Sequence, residues 1–207
     1  MRLLLATTNL DKLREIRGLL AGAPVEVVSL RDVPPVAEPE ETGPTFEANA
    51  RLKALYYDDA LPGGAAYTVS EDSGLIIDAL GGEPGVHSAR FLHPAATYPE
   101  RFAEIYRRLG PSPSPSRPWS ARFVCAVAVV REGIVVHETT GTVEGEIAAA
   151  PRGEGGFGYD PIFHYPPYGC TLAEVAEEVK LRVAHRGEAF RSLARWLDAL
   201  VSREDGM

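Results

Sequence analysis

Arg2-Leu3-Leu4-Leu5-Ala6-Thr7-Thr8-Asn9-Leu10-Asp11-Lys12 runs from apolar residues through a polar corner into a helical pattern, and this transition sets the fold class. Arg2–Thr7 predicts a buried first strand. From Leu10 to about Ala21 the periodicity changes, and Leu13, Ile16, Leu19 and Leu20 fall on one helical stripe. The opening run resembles the start of a signal peptide, but it reaches Thr7-Thr8-Asn9 too soon to form an export segment. No apolar run anywhere approaches the ~20 residues that span a bilayer, so no membrane partner is expected.

Outward from this corner the pattern alternates. Val25-Glu26-Val27-Val28 predicts a second strand, and an acidic, Pro-rich loop follows from Arg31 to Pro44. A second helix is expected from a Thr45 cap to about Asp58. Tyr67–Ser70 and Leu75–Ala79 read as two short strands around a tight polar turn, Glu71-Asp72-Ser73-Gly74. Thr97-Tyr98-Pro99-Glu100 is a capping box that opens a third helix, ending near Gly110. The Pro/Ser stretch 111–116 reads as a surface connection. Ser120–Arg131 and Ile134–Ala148 form a hairpin through Glu132-Gly133. Thr171-Leu172-Ala173-Glu174 is a second capping box, opening a short helix, and a last helix runs from about Arg186 to Val201 with Phe190, Leu193, Ala194 and Leu197 inward. Helices alternating with strands, plus a hairpin, predict an α/β fold with a mixed sheet.

Composition bounds the function. The chain has 207 residues, 45% of them hydrophobic, and a chain of this length can bury roughly 70% of its unfolded surface in one core or two small lobes. Its net charge of −8 repels a nucleic-acid backbone, and there is no basic tract longer than Arg107-Arg108, so no polymeric nucleic acid is expected as partner. A small anion is allowed where a few cations converge. Cys125 and Cys170 make no disulfide framework, and Cys125 lies in an apolar run, so the expected compartment is reduced and cytoplasmic.

Several common motifs are excluded. Gly153-Glu154-Gly155-Gly156-Phe157-Gly158 matches G-x-G-x-x-G, but a dinucleotide fingerprint needs a helix immediately afterwards, and Tyr159-Asp160-Pro161-Ile162-Phe163 argues against one. There is no P-loop, no H-E-x-x-H and no C-x-x-C.

Four segments carry chemistry. Thr7-Thr8-Asn9-Leu10-Asp11-Lys12 places hydroxyls, an amide, helix N–H groups and one ammonium at a strand-to-helix corner, which suits phosphate; taken alone, helix capping explains Asn9 or Asp11 as well. Glu40-Glu41 before the second helix offers a carboxylate for a hard cation, or merely a solvated acidic loop. Glu71-Asp72-Ser73-Gly74 offers two acids at strand ends, or an ordinary turn. Gly155–Pro161, with Lys180 and His185-Arg186, offers a flat Phe157 face for a base and polar groups for its edges; singly, each residue is as well explained by packing.

In this order the segments resemble the inosine triphosphate pyrophosphatase, or Ham1, family. The matching text is Ala6-Thr7-Thr8-Asn9 through Lys12 and Glu15, Glu41-Thr42-Gly43 through Phe46 and Asn49-Ala50, and Asp72-Ser73-Gly74-Leu75. It continues with Leu80-Gly81-Gly82 through Pro84-Gly85, Ser88-Ala89-Arg90, residues 155–163, Lys180 and His185-Arg186-Gly187, covering residues 3 to about 197. The resemblance implies one domain over residues 1–207, with an elongated mixed sheet flanked by helices, two lobes with a nucleotide cleft between them, and a homodimer. It implies hydrolysis of ITP, dITP and XTP to monophosphate and pyrophosphate, which cleanses the nucleotide pool.

Residue by residue, it assigns the triphosphate to Thr7, Thr8, Asn9, Leu10, Asp11 and Lys12, and the metal to Glu41 and Asp72, with Asp72 also as proton acceptor. Ser73 matches a substrate contact. Phe157, Gly158, Tyr159 and Asp160 line the base and sugar, and Lys180, His185 and Arg186 complete the set. The chain departs from the family's usual text at Ala184 (commonly Ser), Glu71 (commonly Asp) and Glu188 (commonly Lys or Gln). The expected chemistry is Mg²⁺ held by Glu41 and Asp72, proton transfer to Asp72, and Lys180 and Arg186 aimed at a purine 6-oxo group. Two rivals remain at this stage: a Maf-type pyrophosphatase for other nucleotides, and a nucleotide-binding module without hydrolysis.

Overall fold

The opening run forms β1 (Arg2–Leu5) in a computed structural model that describes residues 1–63, 65–111 and 119–204. Leu3 and Leu5 are fully buried, and β1 pairs in parallel with both β2 (Glu26–Ser29) and β3 (Tyr67–Ile77). Leu4, on the opposite face from Leu3 and Leu5, is buried too, so both faces of this parallel strand are covered, which explains its unbroken apolar text. Seven strands hydrogen-bond in the order β2-β1-β3-β4-β5-β6-β7, with β4 at Ser120–Arg131, β5 at Ile134–Ile147, β6 at Phe163–Tyr165 and β7 at Cys170–Thr171. The β5–β6 and β6–β7 pairs are antiparallel, so the sheet is mixed, as the alternation of elements predicted.

The helices are α1 (Leu10–Leu19), α2 (Phe46–Ala60), α3 (Tyr98–Leu109), α4 (Glu177–Val183) and α5 (His185–Glu204). Asn9, Thr45 and Thr97 cap α1, α2 and α3 through their side chains, and Thr97 with Glu100 completes the predicted capping box. The predicted hairpin also forms. Glu132 (φ 53°) and Gly133 (φ 75°) both adopt the left-handed region, the conformation of a two-residue turn that follows strand twist. Asp58, at the end of α2, accepts hydrogen bonds from Gly133 N at 2.8 Å and Thr68 Oγ1 at 2.9 Å, tying the turn to β3.

The chain divides into two compact units. The first comprises Met1–Asp72, Cys125–Gly141 and the chain from His185 onward; its core joins Leu3 and Leu5 to Ile16 of α1, Val69 of β3, Val127 of β4 and Phe190, Leu193 and Leu197 of α5. The second comprises Ser73–Val124 and Thr142–Ala184, and its core gathers Leu75, Ile77, Phe102, Ile105, Phe123, Ile162 and Phe163. Among the described residues no helix is long and apolar enough to cross a membrane.

One expectation is overturned. Glu71-Asp72-Ser73-Gly74 is no turn; it lies within the 11-residue strand β3. The polar text follows from what meets it. Glu71 and Asp72 are answered by cations from other elements. A side chain at Gly74 would run into the Ser88 hydroxyl and lie 2.7 Å from the Gly85 carbonyl, so glycine serves close approach here. Boundaries shift slightly elsewhere: Thr7 lies beyond β1, α1 stops before Ala21, and the turn opened by Thr171 is a single 3₁₀ turn, Leu172–Glu174. The α4 segment was not foreseen. The Pro/Ser connection lies, apart from Pro111, outside the described residues.

Gly141 in β5 meets the start of α5. A Cβ there would clash with the His185 carbonyl oxygen and lie 2.6 Å from Ala189 N, both backbone atoms. Gly141→Ala should therefore destabilise the protein by about 1–3 kcal/mol or more, the usual range for overpacking. A lowered urea midpoint with unchanged slope is the expected reading; an unchanged midpoint would show that α5 docks without this contact.

Candidate active site

In the first unit the chemistry is organised by β3. Alternate residues of a strand point to opposite faces. Tyr67 and Val69 pack with α1 and α5, so Glu71 shares that face, while Thr68 and Asp72 face α2. The two adjacent acids therefore enter different clusters.

Glu71 is 3% exposed. Lys12 of α1 lies 2.5 Å from its Oε1, and Arg186 of α5 lies 3.7 Å from its Oε2. Arg186 also donates to Glu15 of α1 at 2.8 Å. Burial pushes the Glu71 carboxyl up, but Lys12, Arg186 and Lys53 reverse this and hold it far below the usual carboxylate range. The Cys125 thiol donates to Glu71 Oε2 at 3.4 Å; burial and the Glu71 charge keep that thiol protonated. The corner before α1 is more exposed. Asn9 accepts from the backbone N–H groups of Asp11 at 3.0 Å and Lys12 at 3.1 Å, and Asp11 pairs with Arg14 at 2.8 Å.

On the other face, Asp72 Oδ2 accepts from Asn49 Nδ2 at 3.0 Å, and Asn49 Oδ1 accepts from Gly43 N at 2.7 Å. One buried amide thus joins the Glu41-Thr42-Gly43 loop to β3. Lys53 Nζ lies 2.5 Å from Glu41 Oε1 and 3.5 Å from Asp72 Oδ1, so the two carboxylates converge on a single cation. Burial raises the Asp72 carboxyl, Lys53 lowers it and Glu41 raises it again, for a net shift above its ordinary value.

These donors fit a hard divalent ion, which takes one or two carboxylates and completes its shell with phosphate and water. Among the described residues no cluster of three or more His, Cys, Asp or Glu side chains could hold a metal on its own. Asn49 and Lys53 stand four apart on α2 and share one face, and that spacing was the signal for Lys53 that the sequence reading missed.

In the second unit the glycine-rich segment closes on itself. Asp160 Oδ2 accepts from Phe157 N at 2.9 Å and pairs with Lys180 at 2.8 Å, while the Lys180 ammonium sits 5.0 Å over the Phe157 ring. Gly156 (φ 66°) is required twice over, since a Cβ would also lie 2.9 Å from Asp160 Cγ. Tyr159 donates its hydroxyl to the Ser88 carbonyl at 2.8 Å, and Ser88 Oγ in turn accepts from Leu75 N at 2.9 Å. A short 3₁₀ turn, Asp160–Ile162, and then β6 follow Gly158, which removes the dinucleotide motif. Ser73 is half-buried on β3 of this unit.

The predicted residues thus fall into two sets. Lys12, Glu41, Asp72 and Arg186 gather in the first unit with Glu15, Asn49, Lys53 and Glu71; His185 opens α5 there. Phe157, Gly158, Tyr159, Asp160 and Lys180 gather in the second.

The sequence profile of the Ham1 family matches residues 3–196. The chain belongs to the Ham1 family. Among similar proteins, the dITP/XTP pyrophosphatase of Geobacillus kaustophilus is 43% identical, with 96% of this chain and 95% of the relative aligned. That of Symbiobacterium thermophilum is 47% identical over 96% and 94%. A solved Ham1 protein from Coxiella burnetii superposes with a TM-score of 0.82 at 35% identity, covering 96% of this chain and 99% of that one. The mixed α/β architecture of this Ham1 chain is therefore that of its solved relatives.

The Glu15–Arg186–Glu71 network should dominate the stability of the first unit of this Ham1 protein. Arg186→Leu leaves two buried carboxylates without their guanidinium, and breaking a buried pair costs about 3–5 kcal/mol. Urea unfolding should show a loss of that size; a loss under about 1 kcal/mol, the scale of an exposed pair, would contradict the buried geometry.

Proposed function

We infer that this protein hydrolyses non-canonical purine nucleoside triphosphates, ITP, dITP and XTP, to the monophosphate and pyrophosphate. The observation that carries the reading is the convergence of Glu41 and Asp72 on one cation, in a chain aligned nearly end to end with dITP/XTP pyrophosphatases.

The triphosphate is assigned to Thr7, Thr8, Asn9, Leu10, Asp11 and Lys12. The Thr7 and Thr8 hydroxyls and the positive end of the α1 dipole favour an anion at that corner, where Asn9 already takes the Asp11 and Lys12 N–H groups, and Lys12, fixed by Glu71, adds a point charge. Glu41 and Asp72 would hold a divalent cation, magnesium by its preference for carboxylate and phosphate oxygen, and the ion supplies charge neutralisation to the phosphates when bound.

Asp72 takes the proton from the attacking water, a role that its raised carboxyl favours. Water adds at the α-phosphorus, the α–β phosphoanhydride bond breaks, and the electron pair leaves on pyrophosphate. The charge developing there is met by Lys12 and the positive end of the α1 dipole. Asn49 keeps Asp72 in position through its 3.0 Å bond.

The base and sugar are assigned to Phe157, Gly158, Tyr159, Asp160 and Lys180, with Ser73 a further contact. Phe157 supplies the stacking face, and the Asp160–Lys180 pair supports it. His185 and Arg186 are assigned to the substrate from the start of α5, Arg186 being held in place by Glu15. Donors aimed at a 6-oxo group are left unpaired by the 6-amino group of adenine, and polar mismatch of this kind can reject an analogue by up to about 10⁴-fold.

A panel of ITP, dITP, XTP, ATP, GTP, UTP and TTP with magnesium, read as pyrophosphate against phosphate, tests the reading. Turnover of the oxopurine nucleotides with pyrophosphate release is expected, and preference for UTP or TTP would reverse the substrate assignment. Chelation of divalent ions should abolish turnover, and added magnesium should restore it. Asp72→Asn should lower kcat by about 10²-fold or more while nucleotide binding stays measurable; near-normal turnover would remove Asp72 from the proton transfer.

A further inference from the structure

The carboxylates and cations buried in this protein answer one another. Glu15 has Arg186 at 2.8 Å, Glu71 has Lys12 at 2.5 Å, Asp72 has Lys53 at 3.5 Å and Asp160 has Lys180 at 2.8 Å. Arg101 is different. It is 4% exposed, yet among the described residues no carboxylate lies within ion-pairing distance, and its Nε is buried without a hydrogen-bond partner. Its position adds to the cost, because it follows the capping box in the first turn of α3, where the helix dipole disfavours a cation. The preceding Glu100 is committed to the cap, accepting from Thr97 N at 2.7 Å and Thr97 Oγ1 at 2.8 Å.

What surrounds the guanidinium is aromatic. Its Cζ lies 4.9 Å from the Tyr98 ring centroid, and Tyr98 meets Tyr159 edge-to-face at 5.3 Å. The Tyr98 hydroxyl backs onto the same turn, 3.6 Å from where a Cβ at Gly158 would stand. Burial drives the Tyr159 hydroxyl up, and Arg101 acts in the opposite sense through its charge and its hydrogen-bonding reach to that hydroxyl. Cation–π contact recovers only part of what it costs to desolvate a cation. A positive charge is thus fixed behind the 157–160 turn, whereas Asp160 neutralises Lys180 on that same turn.

We propose that Arg101 is a specificity-determining residue that favours a negatively charged nucleobase, so that XTP is preferred over ITP and dITP. The proposal rests on the assignment of the base to residues 157–160. Xanthine carries oxo groups at C2 and C6, and its N3–H is acidic enough to ionise near neutrality, with the charge spread over N3 and O2. Hypoxanthine lacks the 2-oxo group and stays neutral. Guanine, neutral and bearing a 2-amino group, gains nothing from the field either. Arg101 acts at a distance, past the rings of Tyr98 and the buried Tyr159, without touching the reacting phosphate.

The experiment is the ratio of kcat/KM for XTP to that for ITP, measured with magnesium across the pH range in which xanthine ionises, so that effects common to both substrates cancel. For the unaltered protein the ratio should rise about tenfold as xanthine loses its proton, the scale of a single charge interaction in a partly screened interior. Arg101→Met should flatten the rise, and Arg101→Lys should keep most of it. A flat ratio in the unaltered protein overturns the proposal, and this arm does not depend on whether a variant folds. A rise in Arg101→Met equal to that of the parent also overturns it. Turnover of neither nucleotide would overturn the pyrophosphatase reading and the proposal with it, whereas good turnover of both with a flat ratio removes only the role of Arg101.

Discussion

Burying a carboxylate costs several kcal/mol unless a cation and hydrogen bonds meet it. Here two consecutive carboxylates, Glu71 and Asp72, are buried in one strand, at 3% and 6% exposure. Strand alternation sends them to opposite faces, so one cluster of cations could not serve both. Lys12 and Arg186 must therefore arrive on the face of α1 and α5, and Lys53 with Asn49 on the face of α2. The helices on either side of β3 are thus held in register by charge as well as by apolar packing. The same alternation divides the labour. Glu71 is kept ionised by its cations and holds Lys12, whereas the Asp72 carboxyl, hydrogen-bonded to Asn49, sits above its ordinary value.

The second unit solves a related problem by local closure. A glycine-rich turn has little reason to hold one shape, since glycine loses more freedom on ordering than any other residue. Asp160 supplies the reason: it takes the Phe157 N–H and the Lys180 ammonium on one oxygen, and the ammonium in turn covers the Phe157 ring. Ser88 performs the parallel task for β3, with its hydroxyl on Leu75 N and its carbonyl under the Tyr159 hydroxyl. Each is a short polar side chain making several bonds at once, which fixes geometry without a large core.

Elements whose signal is local were legible in the sequence. The capping box at Thr97, the left-handed pair Glu132-Gly133 and the apolar stripe of α5 each carry their instruction within a few residues, and each forms. The reading failed where local text and tertiary surroundings disagree. Asp-Ser-Gly is turn text, and only the cations from α1, α2 and α5, together with the close approach of Ser88 to Gly74, explain why it lies in a strand. Lys53 was missed for a similar reason: on a helix surface a lysine is ordinarily a solvated charge, and its spacing from Asn49 puts the two on one face without showing that Glu41 and Asp72 will enclose it. Glu15 and Arg186 are separated by most of the chain, so no window of sequence pairs them.

Formal charge adds an argument for the divalent cation that donor type alone does not supply. On the Glu71 face of β3, Lys12 and Arg186 balance Glu15 and Glu71, whereas on the Asp72 face Lys53 alone stands against Glu41 and Asp72, which leaves that cluster one negative charge. A triphosphate brought to that cluster by itself would meet a region already anionic, and at short range in a partly buried setting such repulsion is not screened away. Two added positive charges reverse the sign and relieve Lys53 of being the sole counter-ion for both Glu41 and Asp72. The cluster is thus matched to a metal–polyphosphate complex better than to a free polyphosphate. Among the buried charges around the 157–160 turn the balance has the opposite sign, since Asp160 and Lys180 cancel and Arg101 is left over. On the proposed assignment of the base to residues 157–160, a base that carries negative charge of its own is favoured there.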